Sequence, residues 1–405
     1  MPKECEHKTD VCVVGGGPAG ATLSLLLLRS GLTVTLVERA RTLDRPYRGE
    51  ILQPGGLAIL DRLGVLAGAR ERGGYELTRF QVMEGDRALL DIDYRRLPAP
   101  YNYLLSIPQA HVLAELLDAC GRYDGFTYLP GYRLSQLLRE GEGRVCGARA
   151  EGRDGTADVS ARVVVGADGR YSRTRRLACI GHDRLDVFDL DVLWFTLPAQ
   201  EAGGRVRIFR GGGSPVLAYD SYPGRTQLGW TLPHGTFARV ADLGVDHVKA
   251  QAATVVPEFA GLIDRHVTQL SDLTLLDVFA ARARTWAVDG LLLIGDAAHT
   301  HSPLGAQGIN LAIQDAVVAH PVLVGAVRDG DASAAYLSAV QARRGRDIDA
   351  VMKFQVMQSK GMFAAGGLAG FLRPKLAGLL MRTPLGMRVT RHVALGNPDI
   401  QVADL

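Results

Sequence analysis

The hydrophobic period of the chain changes several times, and each change marks a predicted element. A short β-branched run, VCVV at 11–14, precedes GGGPAG; the apolar stretch after it reads as a helix, and TVTLVER at 33–39 as a second strand. A loop and a helix are expected over 48–65, RGEILQPGGLAILDRLGV, then short strands from Tyr75 to Tyr103. In IPQAHVLAELLDACGR at 107–122, Val112, Leu113, Leu116, Leu117 and Cys120 form one helical stripe. Strand-like pieces at 127–129, 132–138, 144–151 and 158–165 are separated by the turns GEG and GRDG. A second strand-rich region runs from 190 to 232 with turns at GGGSP and YPGR, and a helical stretch follows through Ile263. A strand-like segment at 272–280 then leads to the apolar LLLIGD at 291–296, and the chain after 316 is helical in character. Two β-rich excursions therefore leave the first unit and return to it. No internal repeat or low-complexity linker interrupts this order.

Gly15, Gly17 and Gly20 have the G-x-G-x-x-G spacing between a strand and a helix. Gly15 permits the tight turn, Gly17 lets a pyrophosphate approach the backbone, and Gly20 lets the helix pack on the strand. The helix N-terminus then faces the phosphates. Glu38, about 20 residues further on, stands where an acid binds ribose hydroxyls, so a dinucleotide with an unphosphorylated adenosine ribose fits.

Composition narrows the class without adding chemistry. The 405 residues are 47% hydrophobic and 22% charged, enough chain for two or three domains and a large core. A net charge of +3 with dispersed arginines gives no support for nucleic acid as a partner. Cys5, Cys12, Cys120, Cys146 and Cys179 have neither C-x-x-C nor metal spacing, which suits a reducing, cytoplasmic setting. The polar N-terminus runs straight into the first strand and implies no export. The apolar C-terminal stretch at 361–371 is too short to span a bilayer and is expected to pack on the body rather than to contact a membrane, with an amphipathic surface helix as the alternative.

Two further stretches carry a resemblance. VVVGADGRYSRTR at 163–175 and LLLIGDAAHTHSPLGAQGINLAIQDA at 291–316, together with GGGPAG, resemble the Asp-Gly, Gly-Asp and glycine motifs of the single-component flavoprotein monooxygenases related to para-hydroxybenzoate hydroxylase. Order and spacing match from residue 11 to about 345, with diagnostic residues in the nucleotide-binding part only. The resemblance implies an α/β fold: an interrupted Rossmann-like FAD-binding domain over 1–75, 104–180 and 276–330, and a β-sheet substrate domain over 76–103 and 181–275. The C-terminal helices over 331–405 are expected to cover the site or make a subunit contact, a homodimer being one option.

The family match also implies cofactor contacts. Asp296 is implied at the flavin ribityl hydroxyls, Asp168 and Gly169 near the pyrophosphate and nicotinamide side, and Arg48 and Gln109 at the pyrophosphate and ribityl region. Ser172 and Arg175 match later motif positions, although Ser172 equally suits a helix cap. The backbone N–H groups of Gly308, Ile309 and Asn310 are implied at the flavin N1–C2=O region, and the Pro303 carbonyl near the reactive edge.

The implied reaction is a hydroxylation. NAD(P)H docks transiently and reduces FAD, O2 adds at the flavin C4a, and the hydroperoxide attacks an aromatic or polyketide-like small molecule. A phenolic substrate calls for a base or proton relay, which the sequence does not identify. Tyr219, Asp220, Tyr222, Arg225 and His234 lie on strands expected to face the site, with Tyr219, Tyr222 and His234 the catalytic candidates, although alternation turns about half of any strand away. His299 and His301 have no third ligand, so no metal is expected, and His111 reads as a capping or surface histidine. A halogenase is disfavoured by LGWTLP at 228–233 and by the absence of lysine between Lys8 and Lys249. A flavin-dependent reductase of an isoprenoid or other hydrophobic substrate and a catalytically silent flavoprotein binder remain as alternatives.

Overall fold

The run at 11–14 is the end of a longer strand, Lys3–Val14, which pairs in parallel with Gly155–Gly166. The computed structural model describes residues 3–43, 50–185, 190–199, 203–211, 214–303, 305–363, 378, 381 and 383–403. Val34–Glu38 and Phe126–Pro130 extend the parallel sheet on one side, and Leu291–Leu293 on the other. Such buried parallel strands are apolar on both faces because helices cover them. Pro18–Arg29 packs against Gly308–Asp329 and Gln109–Cys120, which completes the larger core. The hairpin of Arg133–Glu140 and Arg144–Gly152 adds antiparallel strands along the first half of Gly155–Gly166.

The two β-rich excursions meet in one seven-stranded sheet. Its order is Thr274–Leu276, Leu190–Pro198, Arg225–Pro233, Val216–Ser221, Arg205–Arg210, Arg79–Glu84 and Arg87–Asp93, and the excursions join through the parallel pair Arg79–Glu84 and Arg205–Arg210. Strand alternation gives this sheet two apolar faces. Leu193, Phe195, Val216, Ala218 and Leu228 pack under the helices Val245–Val255 and Ala260–His266. Trp194, Leu217 and Tyr219 face the nucleotide-binding half.

Several expectations need adjustment. The helix expected within 48–65 is Pro54–Arg62, and Gly64, with φ +67, turns the chain into a second helix, Leu66–Glu71. The strand expected at 272–280 is only Thr274–Leu276; Leu270–Asp272 before it is a 3-10 turn, and the next strand starts at Ala280. Hydrophobicity alone could not separate these, because Leu273, Val278 and Phe279 are buried whether or not they pair. Arg48, residues 212 and 213 of the GGGSP turn and residues 364–371 of the C-terminal apolar segment lie outside the described residues. The C-terminal helices Ala339–Phe363 and Pro384–Leu395 lie within them. Gly308–Asp329 is long and apolar enough to cross a membrane, but 72% of its most apolar window is buried inside the protein, so it is a core helix here.

That helix buries His320 against Ser30 at the end of Pro18–Arg29, with Nε2 and Oγ 2.7 Å apart. Burial, helped by Arg328, pushes the imidazole down to about 4 from its ordinary 6.5. The folded state therefore holds it neutral, and the unfolded chain takes up the proton first as pH falls. Stability is expected to decline between about pH 6.5 and about 4. Denaturant midpoints of H320Q over that window should show a shallower decline than the wild type.

Candidate active site

The two motifs meet at one cavity of about 560 Å³, between the C-terminal ends of the parallel strands and the inner face of the second sheet. Gly15, Gly17, Glu38, Gln109, Asp168, Gly169, Asp296, Pro303, Gly308 and Ile309 line it from the nucleotide-binding half, and Trp194, Leu217 and Tyr219 from the sheet.

The glycine loop is shaped for a close ligand. Gly15 has φ +111, and a Cβ there would overlap the Ala167 carbonyl; a Cβ on Gly20 would overlap the Gly15 carbonyl, so Gly20 serves helix packing. A Cβ on Gly17 would meet no protein atom within 4 Å, which leaves space at the start of Pro18–Arg29. Glu38 ends its strand buried, with Oε2 accepting from Gly16 N and Oε1 from Ala40 N, both at 2.7 Å.

Asp168 is tied to its own turn. Its Oδ1 accepts from Ser172 Oγ at 2.5 Å, and Oδ2 accepts from Arg173 N, Thr174 N and Thr174 Oγ1 at 2.8–3.0 Å. Ser172 in turn caps Arg173–Leu177 by accepting from Arg175 N at 2.9 Å. The carboxylate therefore fixes the turn that borders the cavity. Arg175 is buried and donates to Ala297 O at 2.8 Å and Arg170 O at 3.2 Å, which braces the Asp-Gly stretch against the Gly-Asp stretch. Asp296, immediately before Ala297, has Oδ2 3.8 Å from Arg170 Nε.

The backbone at 305–307 turns sharply into Gly308–Asp329. Gly305 has φ +77, and Ala306, a non-glycine residue in the left-handed region, has φ +51. Gln307 O accepts from Leu311 N, so the N–H groups of Gly308, Ile309 and Asn310 belong to the first turn and have no acceptor within the helix. The side chain of Asn310 faces away, its Oδ1 accepting from Gln53 N at 3.0 Å and its Nδ2 donating to Ala306 O at 2.9 Å. Gln53 also donates to Gly305 O at 2.8 Å. Gln53 escaped sequence reasoning because the partners that tie it to the loop, Asn310 and Gly305, lie more than 250 residues away.

Behind the loop lies a buried charge cluster. Asp315 Oδ2 accepts from Gly295 N at 2.9 Å and lies 2.6 Å from His299 Nε2, while Oδ1 accepts from Arg344 Nε at 2.8 Å. Burial alone would raise the Asp315 carboxyl, but His299 and Arg344 hold it well below the usual carboxylate range. His299 Nδ1 meets His301 Nε2 at 3.0 Å, and burial pushes His301, on the cavity wall, down to about 3.

Two catalytic candidates are not at the cavity. His234 follows Pro233, the last residue of its strand, and pairs at 2.9 Å with Asp191, which also accepts from Gly235 N and Val278 N. The expectation that it faces the site fails because the turn carries it past the sheet edge. Tyr222 likewise lies beyond the end of Val216–Ser221, 5.8 Å from the rings of Tyr75 and His111. Tyr219 does line the cavity, edge-on to Trp194 at 6.3 Å. Asp220 turns the other way and accepts from Gly204 N. Ligand atoms of Asp191, His234 and Asp277 lie within 4.8 Å of one another, but Asp277 is already engaged by Tyr171 and Arg184. Glu50, which had no assigned role in the sequence, lines the cavity beside Ile51.

These features fit FAD. Space lies before Gly17, Glu38 stands at the end of the second strand, and a helix N-terminus with three first-turn N–H groups meets a backbone that turns through two left-handed residues.

Known proteins agree with this geometry. The family described as FAD binding domain matches residues 8–355. The chain is 55% identical over 404 residues to the 6-methylpretetramide 4-monooxygenase of Streptomyces rimosus, covering 99% of this chain and 95% of that one. It is 28% identical to the protoasukamycin 4-monooxygenase of Streptomyces nodosus subsp. asukaensis, over 81% and 82% of the two chains. Among solved structures it is similar to P. aeruginosa PqsL in complex with 2-aminobenzoylacetate, at 26% identity and a TM-score of 0.77, covering 90% of this chain and 100% of that one.

Two substitutions separate cofactor space from folding. Gly17→Ala meets no protein atom within 4 Å, so its denaturant midpoint should match the wild type, while FAD affinity by fluorescence titration should fall on the order of tenfold or more. Wild-type affinity would contradict a pyrophosphate at this turn. Asp315→Asn removes the charge that compensates buried Arg344, and chemical denaturation is expected to show a loss of about 3 kcal/mol.

Proposed function

The chain belongs to the FAD-binding-domain family of single-component flavoprotein monooxygenases, and from that premise we propose that it hydroxylates a polycyclic polyketide phenol against the inner face of its second sheet. It is an FAD-dependent monooxygenase. Bound FAD supplies the activation of O2, with electrons from NADPH or NADH.

The observation that carries the substrate reading is the character of that face. Trp194, Leu217, Tyr219, Leu275 and Leu276 form an apolar and aromatic wall, and the arginines that line the cavity, Arg39, Arg133, Arg170, Arg173 and Arg176, all come from the nucleotide-binding half. Among the described residues, no basic side chain on the sheet lines the cavity to hold a substrate carboxylate. A large neutral planar molecule suits this wall better than a small aromatic acid. The substrate in the name of the Streptomyces rimosus relative supports the same class.

We assign the pyrophosphate to the Gly15–Gly17 turn and the adenosine ribose to Glu38, with Gln109, Asp296 and, outside the described residues, Arg48 serving the ribityl and phosphate region. Asp168 acts by fixing the neighbouring turn. The N–H groups of Gly308, Ile309 and Asn310 stabilise the negative charge that develops on the pyrimidine edge when flavin is reduced. The Pro303 carbonyl borders the side from which the substrate is met. In this reading residues 1–75, 104–180 and 276–330 form the FAD-binding domain, 76–103 and 181–275 the substrate domain, and 331–405 the helical cover. The scattered free cysteines fit a cytoplasmic enzyme.

The test follows oxidation of NADPH, then NADH, by the FAD-loaded protein with a panel of tricyclic and tetracyclic polyphenols, recording oxygen uptake and product mass. Substrate-stimulated uptake with a product heavier by one oxygen atom is expected. Bound FAD with no stimulated uptake would overturn the hydroxylase reading in favour of a reductase or a silent binder.

A further inference from the structure

Strand alternation puts Leu217, Tyr219 and Ser221 on one face of Val216–Ser221. The first two line the cavity, and Ser221 Oγ donates to Glu50 Oε2 at 2.6 Å. Glu50 is itself a cavity residue, held by its own carbonyl, which accepts from Ile107 N at 2.8 Å. Its second carboxylate oxygen, Oε1, has no hydrogen-bond or ion-pair partner among the described residues. Burial raises the carboxyl from its ordinary value; the Ser221 bond and the fields of Arg225 on the adjacent strand and His111 on Gln109–Cys120 offset this only in part. An acceptor oxygen is thus left open at the junction of the nucleotide-binding half and the substrate wall.

We propose that Glu50 is the catalytic base that takes the proton from a ring hydroxyl of the substrate, with Ser221 orienting its carboxylate. The substrate O–H bond breaks, its electron pair stays on the ring oxygen, and the proton forms a new O–H bond at Glu50 Oε1. The negative charge moves from the carboxylate to the ring, enriching the carbon that receives oxygen. As that carbon later loses its hydrogen as a proton to solvent water and the ring becomes aromatic again, Glu50 returns its own proton to the ring oxygen. A raised carboxyl suits the first half of this exchange, because a more basic carboxylate takes the proton of the ring hydroxyl more readily. This role rests on the hydroxylase reading above.

The test compares the FAD-loaded wild type, Glu50→Gln and Ser221→Ala with two probes: the tricyclic phenol dithranol, neutral at the assay pH, and a nitro-substituted analogue already ionised there. FAD affinity and the rate of flavin reduction by NADPH are measured alongside. E50Q is expected to lower kcat/KM for dithranol on the order of 100-fold or more, to remove the acid limb of its pH profile, and to leave the ionised analogue nearly unaffected. FAD affinity and flavin reduction should stay at wild-type values. Because the Ser221 bond lowers the Glu50 carboxyl, Ser221→Ala should move the acid limb to higher pH. Equal losses with both probes, or a loss traced to FAD affinity or flavin reduction, would assign the carboxylate to the cofactor and overturn the proposal. An unchanged E50Q profile in an enzyme that still hydroxylates dithranol overturns Glu50 alone. A wild type that hydroxylates neither probe nor any other polyphenol removes the hydroxylase reading and this one with it.

Discussion

A fully buried carboxylate, Asp315, fixes the geometry on which the cavity depends. An isolated buried charge costs several kcal/mol, so its partners must be present together or the fold is heavily destabilised. Those partners come from three places: Gly295 at the end of the Gly-Asp strand, His299 shortly after it, and Arg344 on Ala339–Phe363. Meeting this one demand sets where Gly308–Asp329 starts relative to the sheet. The N–H groups of its first turn consequently border the cavity, and Asn310 and Gln53 hold the loop in front of it.

The second constraint is a sheet with two apolar faces. Helices cover one face, so the other needs either a core or a ligand. Facing it across the cavity are the glycine turn, Glu38 and the Gly-Asp loop, positioned by left-handed backbone residues and by buried side chains bonded to the backbone: Glu38 at Gly16 and Ala40, and Gln53 and Asn310 at the loop. One wall is therefore polar and rich in N–H donors while the other is aromatic. That polarity suits a cofactor held along one side and a planar apolar substrate along the other, with Glu50 at the seam.

Much of this was legible in the sequence because the signals are local. Gly15, Gly17, Gly20 and Glu38 act within one strand–turn–helix–strand unit, so spacing locates them, and the Gly-Asp loop is a contiguous motif that the resemblance to the flavoprotein monooxygenases locates. What stayed hidden depends on tertiary register. Glu50 and Gln53 lie in a stretch of ordinary composition and gain meaning only from Ser221, Asn310 and Gly305, far along the chain. The parity of a strand cannot be read without knowing where it ends, which is why Tyr219 faces the cavity while Tyr222 and His234, past their strand ends, do not. His299 and His301 read only as a pair without a third ligand, because the acid partner of His299 is 16 residues away on a helix and the neighbouring cation 29 beyond that acid.

The most direct check is a crystal structure of the FAD complex. It should show the pyrophosphate against Gly17, the adenosine ribose at Glu38, and the flavin C2 carbonyl within hydrogen-bonding distance of the N–H groups of Gly308–Asn310, with the ring facing Trp194 and Tyr219 across open space. A flavin whose pyrimidine edge points away from that helix, or one that fills the space before Trp194 and leaves no room for a polycyclic substrate, would contradict the assignment.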